Sequence, residues 1–295
     1  MASLKEVRGR IISVNSTQQI TKAMKMVAAA KLRRAQDNII KIRPYAEKLN
    51  TILNNLSETL DDSSDNPFSA EREVKHVLIV VVTSDRGLAG AFNANVVKGT
   101  MSLINEKYKA QAKAGNITVL CIGKKGFDFF TKKDMKVIGD FSTTFLNLTF
   151  DNARKAAEFA MNGFVNNVYD RVEIVYNEFK NVATQIIRQE QFLPIKREKT
   201  SVKNVKAANV DYIFEPSKEE IVAQLIPKSL KIQFYKSLLE SNASEHGARM
   251  TAMDKATDNA KELLKELKLT YNRTRQAAIT KEILEIVGGA EALAG

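Results

Sequence analysis

The sequence predicts an α/β protein in which a long antiparallel coiled coil, made by the N- and C-terminal helices, flanks an open α/β domain. Three observations predict it. Apolar residues at both ends recur with a seven-residue period, the middle alternates β-branched runs with helical stretches, and only five prolines and no tryptophan occur in 295 residues. Seven-residue spacing sustained over many turns means a helix that packs along its length on another helix. Alternating strand and helix signals mean a mostly parallel sheet with helices on its faces.

The N-terminal helix, 1–60, comes first. Leu4, Ile11, Leu32, Ile39, Ala46, Leu53 and Leu60 hold one seam position; Val7, Val14, Ala28, Ala35, Ile42, Leu49 and Leu56 hold the position three residues later. Gln18, Thr21 and Lys25 break the seam. There the apolar stripe shifts to Ile20, Met24 and Val27, which reads either as methionine filling core gaps or as a low-relief surface for a partner. From Ser3 to Leu60 such a helix spans about 85 Å. Pro44 is expected to kink or interrupt it, because proline lacks a backbone donor and clashes with the preceding turn. Turn formers from Asp61 to Pro67 stop it.

The α/β domain, 75–195, follows. Val77 to Val82 is a continuous apolar run, as expected of a strand covered on both faces. The turn Asp85-Arg-Gly-Leu-Ala-Gly90 leads into a helix over 93–112. Strands are predicted at 117–122, 137–141, 171–179 and 184–194, with a turn at Gly123-Lys-Lys-Gly126 and a helix over 151–167. A polar linker, 196–209, and the segment 211–216 separate the domain from the C-terminal helix, 217–295. Ser217 is its expected N-cap, with Glu219 and Glu220 in the first turn. Met253, Ala256, Ala260, Leu263 and Leu267 repeat the heptad spacing and mark this helix as partner of the first. Pro227 is expected to break it near its start, Gly247 to weaken it, and Gly288-Gly289 to end it. Its seam fails across Thr270 to Gln276, where an Arg275-Gln276 collar reads either as solvated surface or as a hydrogen-bonding contact, and a new apolar phase begins at Ile279, Ile283 and Ile286.

Composition narrows the function classes. A single cysteine, Cys121, inside an apolar run excludes a disulfide framework and reads as a buried thiol. Two histidines, His76 and His246, are too few for a zinc site or a triad. The Asp85 to Gly90 turn matches neither dinucleotide nor Walker fingerprints, and Asp85 and Asp140 lack a second catalytic group nearby. No catalytic site, metal or cofactor is therefore expected. No run of eighteen apolar residues occurs, and no signal or import segment precedes the helical pattern, so a cytoplasmic location is expected. The net charge of +11 is concentrated early: ten basic residues between Met1 and Arg43 face only Glu6 and Asp37, a net of +8. A basic helix of this kind suits an acidic protein partner, anionic lipid or nucleic acid, or is simply a solvated helix face.

Several segments together carry a family resemblance across essentially the whole chain. They are Ile20-Thr-Lys-Ala-Met-Lys-Met-Val-Ala-Ala29 near the start and Thr83-Ser-Asp-Arg-Gly-Leu88 in the middle. Near the end stand Ser244 to Met253, Ala256-Thr-Asp-Asn259, Tyr271 to Thr280, and Glu282 to Gly288. The chain resembles the gamma subunits of F-type ATP synthases, the central rotor shaft. The resemblance implies a Rossmann-like α/β domain on a coiled coil inserted in a ring of alpha and beta subunits, standing beside epsilon on the c-ring of the membrane rotor. It implies no catalysis by the chain itself, but coupling of ion-driven rotation to the beta-subunit sites. Carried over by position, Met24 would meet an acidic lever of beta, with Lys22, Lys25 and Lys31 facing that acidity. Arg275 and Gln276 would bond a beta loop, with Thr280 and Glu282 one turn on, and residues from Ile283 to Gly295 would ride in an apolar sleeve. Tyr212 and Glu215 would lie in the segment near epsilon and the c-ring. Without a transit sequence, the resemblance implies a bacterial enzyme, peripheral on the cytoplasmic side of the inner membrane. A lone Cys121 excludes the dithiol control of chloroplast relatives. The rival readings are a basic coiled-coil protein that binds nucleic acid or acts as a scaffold, and a small-molecule enzyme with a ligand at Gly87 to Gly90.

Overall fold

The computed structural model describes residues 3–59, 66–195 and 218–294. Leu60, the stop at 61–65, the linker, Tyr212, Glu215 and Ser217 lie outside the described residues, as do the side chains of Leu53, Leu56 and Glu219. The chain forms two compact units: Ala30–Ala248, and Met1–Ala29 with Arg249–Gly295. Two long helices, α1 (Leu4–Thr59) and α6 (Lys218–Ala294), each contribute to both.

In the larger unit, β1 (Val77–Val82), β2 (Ile117–Ile122), β3 (Lys136–Ile138), β4 (Arg171–Phe179) and β5 (Gln185–Leu193) form one sheet in the order β3-β2-β1-β4-β5. All neighbours are parallel except β4 and β5, which form an antiparallel hairpin at one edge. The central strand β1 is buried along its whole length, so alternate residues serve two cores. On one face Val77, Ile79 and Val81 pack with Val96, Leu103 and Ile104 of α2 (Phe92–Lys107). On the other, Leu78, Val80 and Val82 share a core with Ala153, Ala156, Ala157, Ala160 and Phe164 of α5 (Phe150–Val165) and with Leu230, Phe234 and Leu238 of α6. The four fully buried alanines let the α5 backbone lie close to the sheet. Polar bonds tie α6 to the same domain: Lys231 pairs with Glu158 at 2.7 Å, and Gln233 Nε2 donates to Glu190 at 2.8 Å. Further along, Ala46 and Leu49 of α1 bury against Ile232 of α6, and Leu32, Ala35 and Ile39 are buried as the heptad predicts.

Several predicted boundaries change. The helix expected over 93–112 divides at Tyr108 into α2 and α3 (Lys109–Lys113). The Tyr108 ring is buried and its hydroxyl donates to buried Glu173 at 2.6 Å, which draws the backbone out of helical geometry (φ −124°, ψ 28°). A helix that went unread, α4 (Lys124–Thr131), fills the stretch after the Gly123 turn and buries Phe130. The strand β3 is shorter than expected, because the chain turns away after Ile138. Pro44 and Pro227 interrupt neither long helix, and α6 continues through Gly288-Gly289 to Ala294. An interior proline costs about 3 kcal/mol. Burying flanking side chains such as Ala46, Leu49, Leu230 and Ile232 contributes about 1.5–3 kcal/mol for each large one, enough to hold the helix through the defect. Gly247 lies against the β4–β5 hairpin, where a Cβ would stand 3.5 Å from the Phe179 ring.

Candidate partner surface

In the smaller unit the two helices meet along an unbroken seam. On α1 it runs through Val7, Ile11, Val14, Gln18, Thr21, Lys25 and Ala28, all buried or half-buried. On α6 it runs through Met253, Thr257, Ala260, Leu264, Leu267, Tyr271, Thr274 and Ala278, again all buried or half-buried. Their spacing alternates between four and three residues, the seven-residue repeat of two helices in continuous contact. This corrects the sequence reading in three places. The α6 seam uses Thr257 and buries Leu264 more fully than Leu263. It does not fail at Thr270 to Gln276. Nor does the α1 seam fail at Gln18 to Lys25: it turns polar and finds polar partners.

Those partners are specific. The Lys25 ammonium meets Asp254 Oδ1 at 2.5 Å, and the Thr257 hydroxyl donates to Thr21 Oγ1 at 2.8 Å. The Thr21 hydroxyl in turn donates to the Gln18 carbonyl at 3.0 Å. Thr21 is buried, while Lys25 and Asp254 keep 40% and 50% of their side chains exposed. Asp254 and Thr257 were missed in the sequence. The readable signal was complementarity at matched heptad positions, lysine against aspartate and threonine against threonine.

Apolar side chains also stand exposed along the outer surface of the same coil. Ile12, Ile20 and Met26 are each 60% exposed and Val27 57%, so Met26 fills no core gap and the shifted stripe faces outward. Met24 is half-buried beside Lys25. On α6, Leu269, Ile279, Ile283, Leu284, Ile286 and Val287 are exposed. Pairing that sets Thr21 opposite Thr257 sets Leu4 opposite Thr274, so α6 residues beyond Ala278 have no α1 residue beside them. Every residue from Lys281 to Ala290 is exposed. Thr280 and Glu282 stand on this segment and Arg275 and Gln276 just before it, all four with their side chains in solvent. Thr280 donates to the Gln276 carbonyl at 3.0 Å, and the Arg275 guanidinium bonds to no other described residue. An apolar surface of this extent, interleaved with arginine and glutamine, is what a protein interface presents before its partner arrives.

The glycine turn of the α/β domain uses its polar groups internally. The Ser84 amide donates to Asn93 Oδ1 at 2.9 Å and the Ser84 hydroxyl to the Arg86 carbonyl at 2.7 Å. Asp85 accepts from the Lys124 amide at 3.3 Å, while burial raises its carboxyl above the usual range. At the carboxyl ends of β1 and β4, where doubly wound folds hold ligands, Asn177 donates to the Phe92 carbonyl at 3.2 Å. Among the described residues no group of three His, Cys, Asp or Glu side chains is placed to hold a metal ion.

A doubly wound domain joined to a two-helix coil with a bare apolar surface defines a class: a coiled-coil subunit whose surface is completed by other chains. The ATP synthase family profile matches residues 3–293. The ATP synthase gamma chain of Cytophaga hutchinsonii is 69% identical over 293 residues, 99% of both chains, and that of Flavobacterium psychrophilum is 58% identical over the full length of both. The chain belongs to the ATP synthase gamma chain family. Its fold also matches a chain in the Euglena gracilis mitochondrial ATP synthase OSCP/F1/c-ring structure, with a TM-score of 0.65 at 22% identity, covering 98% of this chain and 94% of that one. A chain from the central stalk and c-ring of the Tetrahymena thermophila mitochondrial enzyme matches with a TM-score of 0.57 at 24% identity, covering 80% and 99%.

Proposed function

We infer that this chain is the central rotor stalk of an F-type ATP synthase. It couples rotation of an ion-driven c-ring to conformational change at the catalytic sites of the beta subunits, in synthesis or hydrolysis. Its partners are the alpha and beta subunits, epsilon and the c-ring. The observation that carries this reading is the bare apolar surface of a coiled coil whose sequence follows a gamma chain at 69% identity over its length.

The chemistry is linkage rather than catalysis by the chain. A rotor whose surface differs from one side to another interacts unequally with the conformations of the surrounding sites, and each orientation shifts their populations accordingly. Met24, Arg275, Gln276, Thr280 and Glu282 form the stator-facing contact set, while Lys25, which the resemblance also pointed toward the stator, is engaged by Asp254 within the seam. Arginine and glutamine supply directional hydrogen bonds, and the apolar α6 end supplies a surface that turns without interlocking. Tyr212 and Glu215 belong to the contact with epsilon and the c-ring. No helix among the described residues is long and apolar enough to cross a membrane. The chain accordingly sits peripherally, on the cytoplasmic side of a bacterial inner membrane, held by its partners.

Co-purification tests the reading. Tagged chain drawn from native membranes brings alpha and beta subunits and ATPase activity with it; recovery alone, or with nucleic acid only, would refute the rotor assignment. Within the complex, Arg275→Ala with Gln276→Ala lowers ATP synthesis severalfold while the far-ultraviolet circular dichroism of the chain stays unchanged. Synthesis at the parent rate would remove that pair from the contact set.

A further inference from the structure

We propose that Lys25–Asp254 and Thr21–Thr257 act as a register layer, a polar step in the seam that fixes how far α6 is advanced along α1. The functional part of this inference rests on the rotor reading: register decides which α6 residues extend beyond α1 and at what height Arg275 and Gln276 meet the stator.

A heptad seam is by nature ambiguous. Advancing one helix by seven residues, about 10 Å, returns apolar side chains to apolar side chains. The seam here is weakly discriminating, since Ala28, Ala260 and Ala278 are small and offer little shape to interlock. The polar layer discriminates more: the Thr21 and Thr257 hydroxyls also bond the Gln18 and Met253 carbonyls of their own helices, but only the observed setting places a carboxylate opposite Lys25. In the observed register Lys25 has Asp254 at 2.5 Å and Thr21 has Thr257 at 2.8 Å. One heptad in one direction sets Lys25 opposite Lys261 and Thr21 opposite Leu264. One heptad in the other direction sets them opposite Gly247 and Met250. Both slips lose both bonds, and the first adds like-charge repulsion. A half-exposed ion pair contributes little stability; polar residues at seam positions instead select register, at some cost in stability. The same geometry explains why this stretch resembles a fault in the apolar pattern.

The opposed lysine makes the inference testable. Lys25→Asp removes the native pair and creates attraction to Lys261 in the slipped register. Adding Asp254→Lys restores a pair in the native one. Register is read by disulfide trapping in the full-length chain: Val14→Cys with Leu264→Cys reports the native setting, and Val14→Cys with Tyr271→Cys reports the slip. Cys121 is buried and stays out of the reaction. Lys25→Asp is expected to raise the slipped cross-link relative to the native one by about fivefold or more, and adding Asp254→Lys to lower it again only part of the way, since the aspartate introduced in place of Lys25 still attracts Lys261 in the slipped setting. An unchanged ratio in Lys25→Asp, or no fall in the slipped cross-link on adding Asp254→Lys, overturns the register layer. In membrane vesicles carrying the whole synthase, ion pumping per ATP hydrolysed falls in Lys25→Asp and recovers in the double reversal. Recovery of the cross-link without recovery of pumping overturns the functional part and assigns Lys25 to the stator directly. Failure of the chain to co-purify with alpha and beta would sink the rotor reading while leaving the cross-link result intact.

Discussion

Cys121 lies fully buried in β2, and burial pushes its thiol up to about 12 from an ordinary value of 9. A raised value in the folded state means that folding holds the proton, so the associated stability is complete below about pH 9 and is lost as pH rises from there through about 12. N-ethylmaleimide at pH 8 is therefore expected to leave the folded chain unlabelled and to label it stoichiometrically in denaturant; rapid labelling of the native chain would contradict the packing of β2. At Gly123 the constraint is backbone. Its φ is +98°, and a Cβ would stand 2.1 Å from the Thr83 carbonyl oxygen, where the ends of β1 and β2 are laced together. Gly123→Ala is expected to lower unfolding free energy by about 3 kcal/mol or more, read by urea titration, because strain and steric overlap add.

The long helices show what packing decides at the scale of an element. Leu264 and Leu284 are the same residue on the same helix, yet the first is in the seam and the second is 65% exposed. Leu264→Ala should cost about 2–3 kcal/mol in the isolated chain, whereas Leu284→Ala should change its stability by less than about 0.5 kcal/mol. In the assembled synthase the order of effect on activity reverses if Leu284 contacts the stator, which paired denaturation and ATPase measurements resolve. The existence of both helices was legible from the heptads, because period is a local property of sequence. Their continuity through Pro44, Pro227 and Gly288-Gly289 was not, because a local defect of a few kcal/mol is outweighed by burial that only the partner element supplies. The division at Tyr108 was hidden for the same reason: its cause is Glu173, sixty-five residues away.

At the scale of the molecule, residues 279–290 are exposed and bury little within the chain, so they contribute little to its folding. Ending the chain after Ala278 is expected to leave the melting temperature of the isolated protein within about 2 °C of the parent, since few buried contacts are removed. The same truncation is expected to lower the yield of assembled synthase, measured by co-purification of alpha and beta subunits. A melting temperature lowered by ten degrees would show that the segment packs on its own chain.

Sequence alone determined the outline of this protein: two heptad helices, a βαβα core between them, a basic N-terminal stretch, and motifs ordered as in a gamma chain. These follow from periodicity, strand propensity and charge, which neighbouring residues carry among themselves. Only the tertiary structure decided which polar residues in the coil are faults and which are bonds. Thr21 and Lys25 read as breaks in the seam until Thr257 and Asp254 were placed against them. Likewise the stripe at Ile20, Met24 and Val27 read either as core filling or as a partner surface until Ile20, Met26 and Val27 were found facing outward. The physical reason is common to both: a side chain's energy depends on what lies opposite it, and in an antiparallel coil the opposite residue is more than two hundred positions away in sequence.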